Sequence, residues 1–318
     1  MTSLTNILTA DPTLEAADRA LEAKAAQDKP RAYLGMSQIG DSCSRKLWYS
    51  FRWAGREQFD AATLKRFADG HRTEDLVIER LRLVEGLDIV SLTHQGGQIR
   101  VTDHAGHFSG HLDGTIEGIF QAPKTKHVLE VKCVSDKKMA ELKKARADLG
   151  EKLALNKWNP VYYAQAQCYM HYTGLTRHYT VVATAGGREW ISVRTDYNAA
   201  DALALVNKAK RIINSQDPLD KISNKPDWYE CKWCAYKGVC HEKEMPDRTC
   251  RTCLHSEIQS EGRWHCERWA KHLTADDQFE GCAVHKFIPS LVPGEVTDAN
   301  EKGVTYKLEN GEAWYDGE

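Results

Sequence analysis

The sequence lacks a long apolar run. No stretch of about eighteen apolar residues occurs in the 318 residues, so no membrane-spanning helix is expected. The first twenty residues, MTSLTNILTADPTLEAADRA, have early acids and no apolar core region. They do not read as a secretory signal, and a cytoplasmic location is expected. Excess positive charge is missing too: the formal net charge is −2, which argues against a protein that coats nucleic acid by bulk charge. No internal repeat or low-complexity segment occurs, so ordinary globular folding is expected. The length allows one large domain or two smaller ones with ample core. Charged residues at 28% and hydrophobic ones at 42% suit a globular chain.

Cysteine, in contrast, is plentiful, with ten in the chain. In a reducing compartment, clustered cysteines point to metal rather than disulfides. Eight fall into two groups. The first is Cys231, Cys234 and Cys240 in CKWCAYKGVC, with Cys43 of CSRKLWY as the candidate fourth thiolate. The second is Cys250, Cys253, Cys266 and Cys282, spaced C-x2-C-x12-C-x15-C. That spacing suits a four-coordinate structural Zn²⁺ site, with His255, His265 and His285 as nearby alternatives and Trp264 and Trp269 filling a small core. Such a module is too short to fold well without its metal. Cys133 and Cys168 remain as small core residues. Spacing alone leaves the first group open between zinc and iron–sulfur.

The stretch from Gly110 to Ser135, GHLDGTIEGIFQAPKTKHVLEVKCVS, reads as a small antiparallel meander. Asp113 ends one strand and Glu130-Val131-Lys132 lies inside the next. Strand period puts Glu130 and Lys132 on one face. A carboxylate and an ammonium on an otherwise apolar strand are costly to bury for stability alone. With Asp113 they suit a divalent-metal site: two hard oxygen ligands and a lysine to hold or deprotonate water. The plain alternative is an ordinary Glu–Lys pair on a surface strand. Between Lys124 and Lys157 basic residues outnumber acids by ten to five, which suits a phosphate backbone. A solvated helix face with pairs such as Asp148–Lys152 explains the same charges.

Along the chain, residues 11–27 read as a helix. A capped helix with an aromatic face is expected over Ser37–Trp53, with Cys43 early in it. Residues 60–85 carry a helical period that Gly70 interrupts or bends, with His71 and Glu74 on one face. Several short strands follow from Asp88 to Val134. Residues 135–155 read as one charged helix. A further helix starts at Asn159-Pro160 and carries Gln165 and Tyr169 one turn apart. Residues 178–185 and 188–195 read as a hairpin over Gly186-Gly187, and a helix runs from Asn198 to about Ser215. Val304–Leu308 and Glu312–Tyr315 read as a hairpin around Asn310-Gly311. This order predicts a mixed central sheet flanked by helices, an α/β packing.

FADGHRTED at 67–75, GHLDG at 110–114, LEVKC at 129–133 and Gln165-x-x-x-Tyr169, in that order, resemble the RecB-like branch of the PD-(D/E)XK nuclease superfamily. The resemblance implies a restriction-endonuclease-like core. It implies Mg²⁺ or Mn²⁺ held by Asp113, Glu130 and the Val131 carbonyl, and Lys132 activating water. On the helix, His71 is the first choice as a further ligand and Glu74 the second. Gln165 and Tyr169 would bind the DNA backbone and frame the site. Leu112 departs from the pattern, standing where the superfamily name has proline. Cys43 with Cys231, Cys234 and Cys240 is similar to the split quartet of AddB-type and CRISPR-adaptation nucleases, which implies a [4Fe–4S] cluster.

The expected organisation is an N-terminal helical segment (1–36), a nuclease core closed by the cluster (37–245), a zinc-binding module (246–290) and a hairpin tail (291–318). The expected activity is metal-dependent DNA exonuclease action in recombination or repair, with phage origin left open. DNA would be gripped by its backbone with little sequence readout. An annealing protein or a helicase is the expected partner class. A CRISPR-adaptation-type or structure-specific nuclease is the alternative within enzymes. A catalytically silent DNA-binding scaffold is the alternative outside them.

Overall fold

The computed structural model describes residues 11–317. The first ten residues, part of the stretch read above as no secretory signal, and Glu318 lie outside the described residues. Helix α1, Pro12–Ala25, starts where the Asp11 carboxylate accepts the Thr13 and Leu14 N–H groups. Strand β1 is only Leu34–Gly35. Helix α2 is Ser44–Arg52, shorter than the helix expected from Ser37. Residues 37–43 instead form turns pressed on a later helix: a Cβ on Gly40 would lie 2.6 Å from Val161 Cα. Cys43 is therefore not inside α2 but its N-cap, accepting the Lys46 N–H at 3.4 Å. Helix α3, Ala61–Arg82, runs through Gly70 unbroken, against expectation.

Five strands make the main sheet: β2 (Asp88–Val90), β5 (Gly114–Glu117), β6 (His127–Val134), β7 (Arg177–Thr184) and β8 (Trp190–Asp196), in the order β2-β5-β6-β7-β8. Only β6–β7 is parallel, so the sheet is mixed. The crossover between them is α4 (Asp136–Leu149), α5 (Glu151–Trp158) and α6 (Pro160–Thr173). The single helix expected over 135–155 is thus two. Gly150 separates them in the left-handed region (φ 77°), and Lys152 pairs with Asp196 rather than Asp148. Helix α7, Ala199–Asn214, follows β8. Alternation along β6 divides the core. Leu129 and Val131 pack with Val77 and Ile78 of α3. Val128 belongs with Met139, Leu142, Leu155 and Ala166 from the crossover helices. The molecule is an α/β fold with helices on both faces of a mixed sheet.

A second sheet has the order β1-β4-β3, with β3 Ile99–Asp103 and β4 Phe108–Leu112. The expected meander over 110–135 is therefore split: β4 and β5 belong to different sheets, with Asp113 alone between them. After the short helix α8 (Lys237–His241), the cysteine-rich segment forms a small antiparallel sheet of β9 (Ser256–Ile258), β10 (Trp264–Cys266) and β11 (Lys271–Leu273), followed by α9 (Ala275–Glu280). Arg251 leaves this segment for the main core. Buried, it donates to the Phe51 and Ala32 carbonyls and to Gln278, each at 2.9 Å, and lies 3.8 Å from the Trp53 ring. Trp264 is fully buried beside it, whereas Trp269 is exposed and not the core residue expected. The tail hairpin gains a third strand: β12 (Gly294–Asn300), β13 (Gly303–Leu308) and β14 (Ala313–Gly317).

Candidate active site

The edge of β6 and the seam at Asp113 build the site. Gly114 pairs with Leu129 at the start of β5, so β6 continues beyond it with an open edge. The Val131 N–H on that edge donates to Asp113 Oδ2 at 2.7 Å. In a pleated strand the carbonyl of the same residue faces the same edge, so Val131 offers an oxygen beside Asp113. Glu130 and Lys132 share the face opposite Val131, and Lys132 Nζ donates to Glu130 Oε1 at 2.5 Å.

Helix α6 supplies the support. Gln165 donates from Nε2 to Glu130 Oε1 at 2.8 Å and to the Tyr169 hydroxyl at 3.1 Å. The Tyr169 hydroxyl donates to the His111 carbonyl at 2.7 Å. Gly110 makes this possible: a Cβ there would lie 2.5 Å from Tyr169 Cε1. Both Gln165 and Tyr169 are buried and occupied within the protein, so they position Glu130 and do not offer themselves to a DNA backbone as expected. Tyr162, which the sequence reading missed, places its ring 5.0 Å from Lys132 Nζ. Its spacing of three from Gln165 on the same helix was the available signal. Helix α3 brings the Glu74 carboxyl close to that of Asp113. His71 lies exposed one turn earlier on the same helix, within electrostatic reach of Asp113. The contact to Asp113 thus comes from Glu74, the second choice of the sequence reading.

Three carboxylates in one partly dry place oppose one another. Burial first, then Asp113, pushes Glu130 up to about 8. Burial and Asp113 push Glu74 up to about 7. Burial also raises Asp113, against the pull of Lys132 and the Val131 N–H. Burial works to lower Lys132, but Glu130 and Asp113 more than offset it and its pKa is raised. Lys132 is therefore an ammonium, and the shortage of positive charge falls on the carboxylates. Glu130 Oε2 is buried with no hydrogen-bond partner. Hard oxygen donors, mutual repulsion and an orphaned carboxylate oxygen all fit a divalent cation. Among the described residues, no three His, Cys, Asp or Glu side chains are gathered closely enough to hold a metal ion as they stand. Here Lys132 and Gln165 bond Glu130, and the Val131 N–H bonds Asp113.

The cysteines of each quartet line one cavity and form no disulfides. Cys43, Cys231, Cys234 and Cys240 all line one cavity of about 170 Å³, between the N-terminus of α2 and the loop before α8. Burial, then Cys240 and Cys43, raise the Cys231 thiol. Cys250, Cys253, Cys266 and Cys282 line a second cavity of about 400 Å³, with His255 and His285. Burial, followed by the other three thiols, pushes Cys250 up to about 12. His285 is held by the Thr249 carbonyl at 3.0 Å. His265 lies against His272 (ring centroids 5.4 Å apart) and does not line the cavity.

No family model and no curated protein matches the chain. Among solved structures it is similar to an alkaline exonuclease from Laribacter hongkongensis, at 16% identity over 61% of this chain and 90% of that one, TM-score 0.41. It is also similar to a phage-related exonuclease from Haemophilus somnus 129PT, at 15% identity over 64% of this chain and 84% of that one, TM-score 0.33. At these levels, what the chain does has to be read from its own side chains.

Proposed function

We propose that the chain is a Mg²⁺- or Mn²⁺-dependent deoxyribonuclease acting on DNA ends in recombination or repair. One observation carries this reading: Asp113, Glu130 and Glu74 meet beside a buried ammonium, Lys132, with Glu130 Oε2 unpartnered. Asp113, Glu130, the Val131 carbonyl and Glu74 would hold the cation, with His71 at the rim. When bound, the cation supplies charge to neutralise the scissile phosphate and to acidify a water. Gln165 and Tyr169 keep the Glu130 carboxylate in one orientation. Lys132, steadied by Glu130 and the Tyr162 ring, presents a proton and a positive charge to the phosphate side of the site. Recognition through the DNA backbone with little sequence preference belongs to this reading. The exonuclease choice rests on the motif resemblance, and an annealing protein or helicase is the partner class it implies.

In the same reading Cys43, Cys231, Cys234 and Cys240 hold a [4Fe–4S] cluster, and Cys250, Cys253, Cys266 and Cys282 hold Zn²⁺. Four soft donors around each cavity support both assignments. Iron, sulfide and zinc content of anaerobically purified protein tests them.

Activity is tested on end-labelled linear DNA, single- and double-stranded, beside a closed circle, with Mg²⁺, Mn²⁺ or EDTA. Cation-dependent loss of linear DNA, with the circle spared and Lys132→Ala inactive, is expected. Cutting of the circle would make the enzyme an endonuclease. DNA binding without cleavage in any lane would favour the silent scaffold.

A further inference from the structure

Between α7 and α8 the chain runs as turns and loop, and there it exposes large aromatic rings. Trp228 is 43% exposed, Tyr229 67% and Trp233 83%. Such exposure in so short a segment is unusual, since isolated apolar residues rather than clusters are the norm at a surface. The backbone beneath is ordered. The Trp228 N–H bonds the Lys225 carbonyl at 3.1 Å, the Cys231 N–H bonds the Trp228 carbonyl at 2.8 Å, and the Cys234 N–H bonds the Cys231 carbonyl at 3.1 Å. The Trp228 and Tyr229 rings sit 4.9 Å apart, and Lys232 Nζ lies 5.0 Å from the Trp233 ring. Lys221, Lys225 and Lys232 are all exposed in the same stretch. Of the acids between α7 and α8, Asp217 accepts from Ser290 and Glu230 is taken up by Ser42 and Tyr229, leaving Asp220 and Asp227.

The segment is linked to the candidate active site through a series of contacts. Ser42 donates to Glu230 and so ties this loop to the turn at 37–43. That turn lies on the first turn of α6, where Gly40 meets Val161. The next residue, Tyr162, covers Lys132. Flat rings interleaved with lysines are what a single strand of nucleic acid requires: every base has a face to stack, and every phosphate needs a cation.

We propose that Trp228, Tyr229 and Trp233, with Lys225 and Lys232, form a stacking platform for single-stranded DNA, linked through the 37–43 turn to the helix that carries Tyr162. The inference rests on the nuclease reading for its choice of DNA, and it adds where an unpaired strand lies.

The test measures binding of labelled oligothymidylate by anisotropy, without divalent cation, to the full chain carrying Lys132→Ala. Adding Trp228→Ala and Trp233→Ala should weaken binding by about tenfold or more. Trp233→Phe alone, which keeps a ring, should stay within about twofold of the parent. Lys232→Gln should reduce the salt dependence of binding. Unchanged affinity in the double variant, or no oligothymidylate binding by the parent, overturns the platform. The nuclease reading is judged separately, by cleavage with the wild-type chain. Cleavage alongside unchanged strand affinity sinks only the platform and would turn the patch over to a protein contact. Strand binding lost on removal of the rings, with no cleavage under any cation, keeps the platform and sinks the nuclease.

Discussion

At the residue scale, the site carries a surplus of carboxylates that one lysine cannot neutralise. Lys132→Ala should lower kcat by about 10²- to 10⁴-fold while DNA affinity changes little. Single-turnover cleavage beside anisotropy separates the two, and robust residual cleavage would remove Lys132 from its role. The raised carboxylates also make a pH prediction. Glu130 is held at about 8 against an ordinary 4.5, so between those values this carboxyl keeps in the folded chain a proton that it loses in the unfolded one. Its contribution to stability without added cation should therefore be present below about 4.5 and be lost as pH rises through about 8, which is read as the difference between the wild-type chain and a Glu130 variant. Glu130→Gln should remove much of that slope and raise the melting temperature near pH 8 by about 2–4 °C or more. Denaturation of both chains across that range is the check, and parallel curves would mean that Glu130 is not strained.

At the scale of elements, geometry that a few atoms decide governs the site. Gly110 carries Tyr169 against β4, and a Cβ there would lie 2.5 Å from the ring. Gly110→Ala should cost about 1–3 kcal/mol by overpacking and lower kcat as Glu130 loses its support, measured by denaturant unfolding and by cleavage. Cys43→Ser keeps a competent N-cap for α2 but removes a proposed cluster ligand. Purified anaerobically, it should lose its iron, its visible absorbance and much of its solubility, whereas a brown, stable variant would mean that another ligand serves. Much of this was legible beforehand. Helical period marked α3, the Asn159-Pro160 start signal marked α6, and strand period put Glu130 and Lys132 on one face. The break between β4 and β5 was not legible, because a single residue separates them and HLDG reads as continuous alternation. Nor was the division at Gly150, since charge and helix propensity run on across it. Tyr162 was missed because an aromatic on a helix ordinarily signals core, and only the fold places it over Lys132.

At the scale of the whole molecule, the cysteine-rich segment is bound into the main core. Arg251 donates to carbonyls at 32 and 51, and Trp264 packs beside Phe51 with ring centroids 5.5 Å apart. Cys266→Ser should therefore lower zinc content and destabilise the chain in one transition. Calorimetry showing the segment melting separately from an unaltered remainder would contradict that coupling. The molecule thus offers two soft thiol sets and one hard oxygen set, and Mn²⁺ prefers oxygen donors. That preference allows the central claim, a divalent cation held by Asp113, Glu130 and Glu74 beside Lys132, to be tested without any activity. The measurement is Mn²⁺ binding by electron paramagnetic resonance. The account predicts at least one bound Mn²⁺ in the wild-type chain, retained in Lys132→Ala and lost in Asp113→Asn and in Glu130→Gln. Wild-type binding that survives loss of both carboxylates, or no Mn²⁺ bound at all, would contradict it.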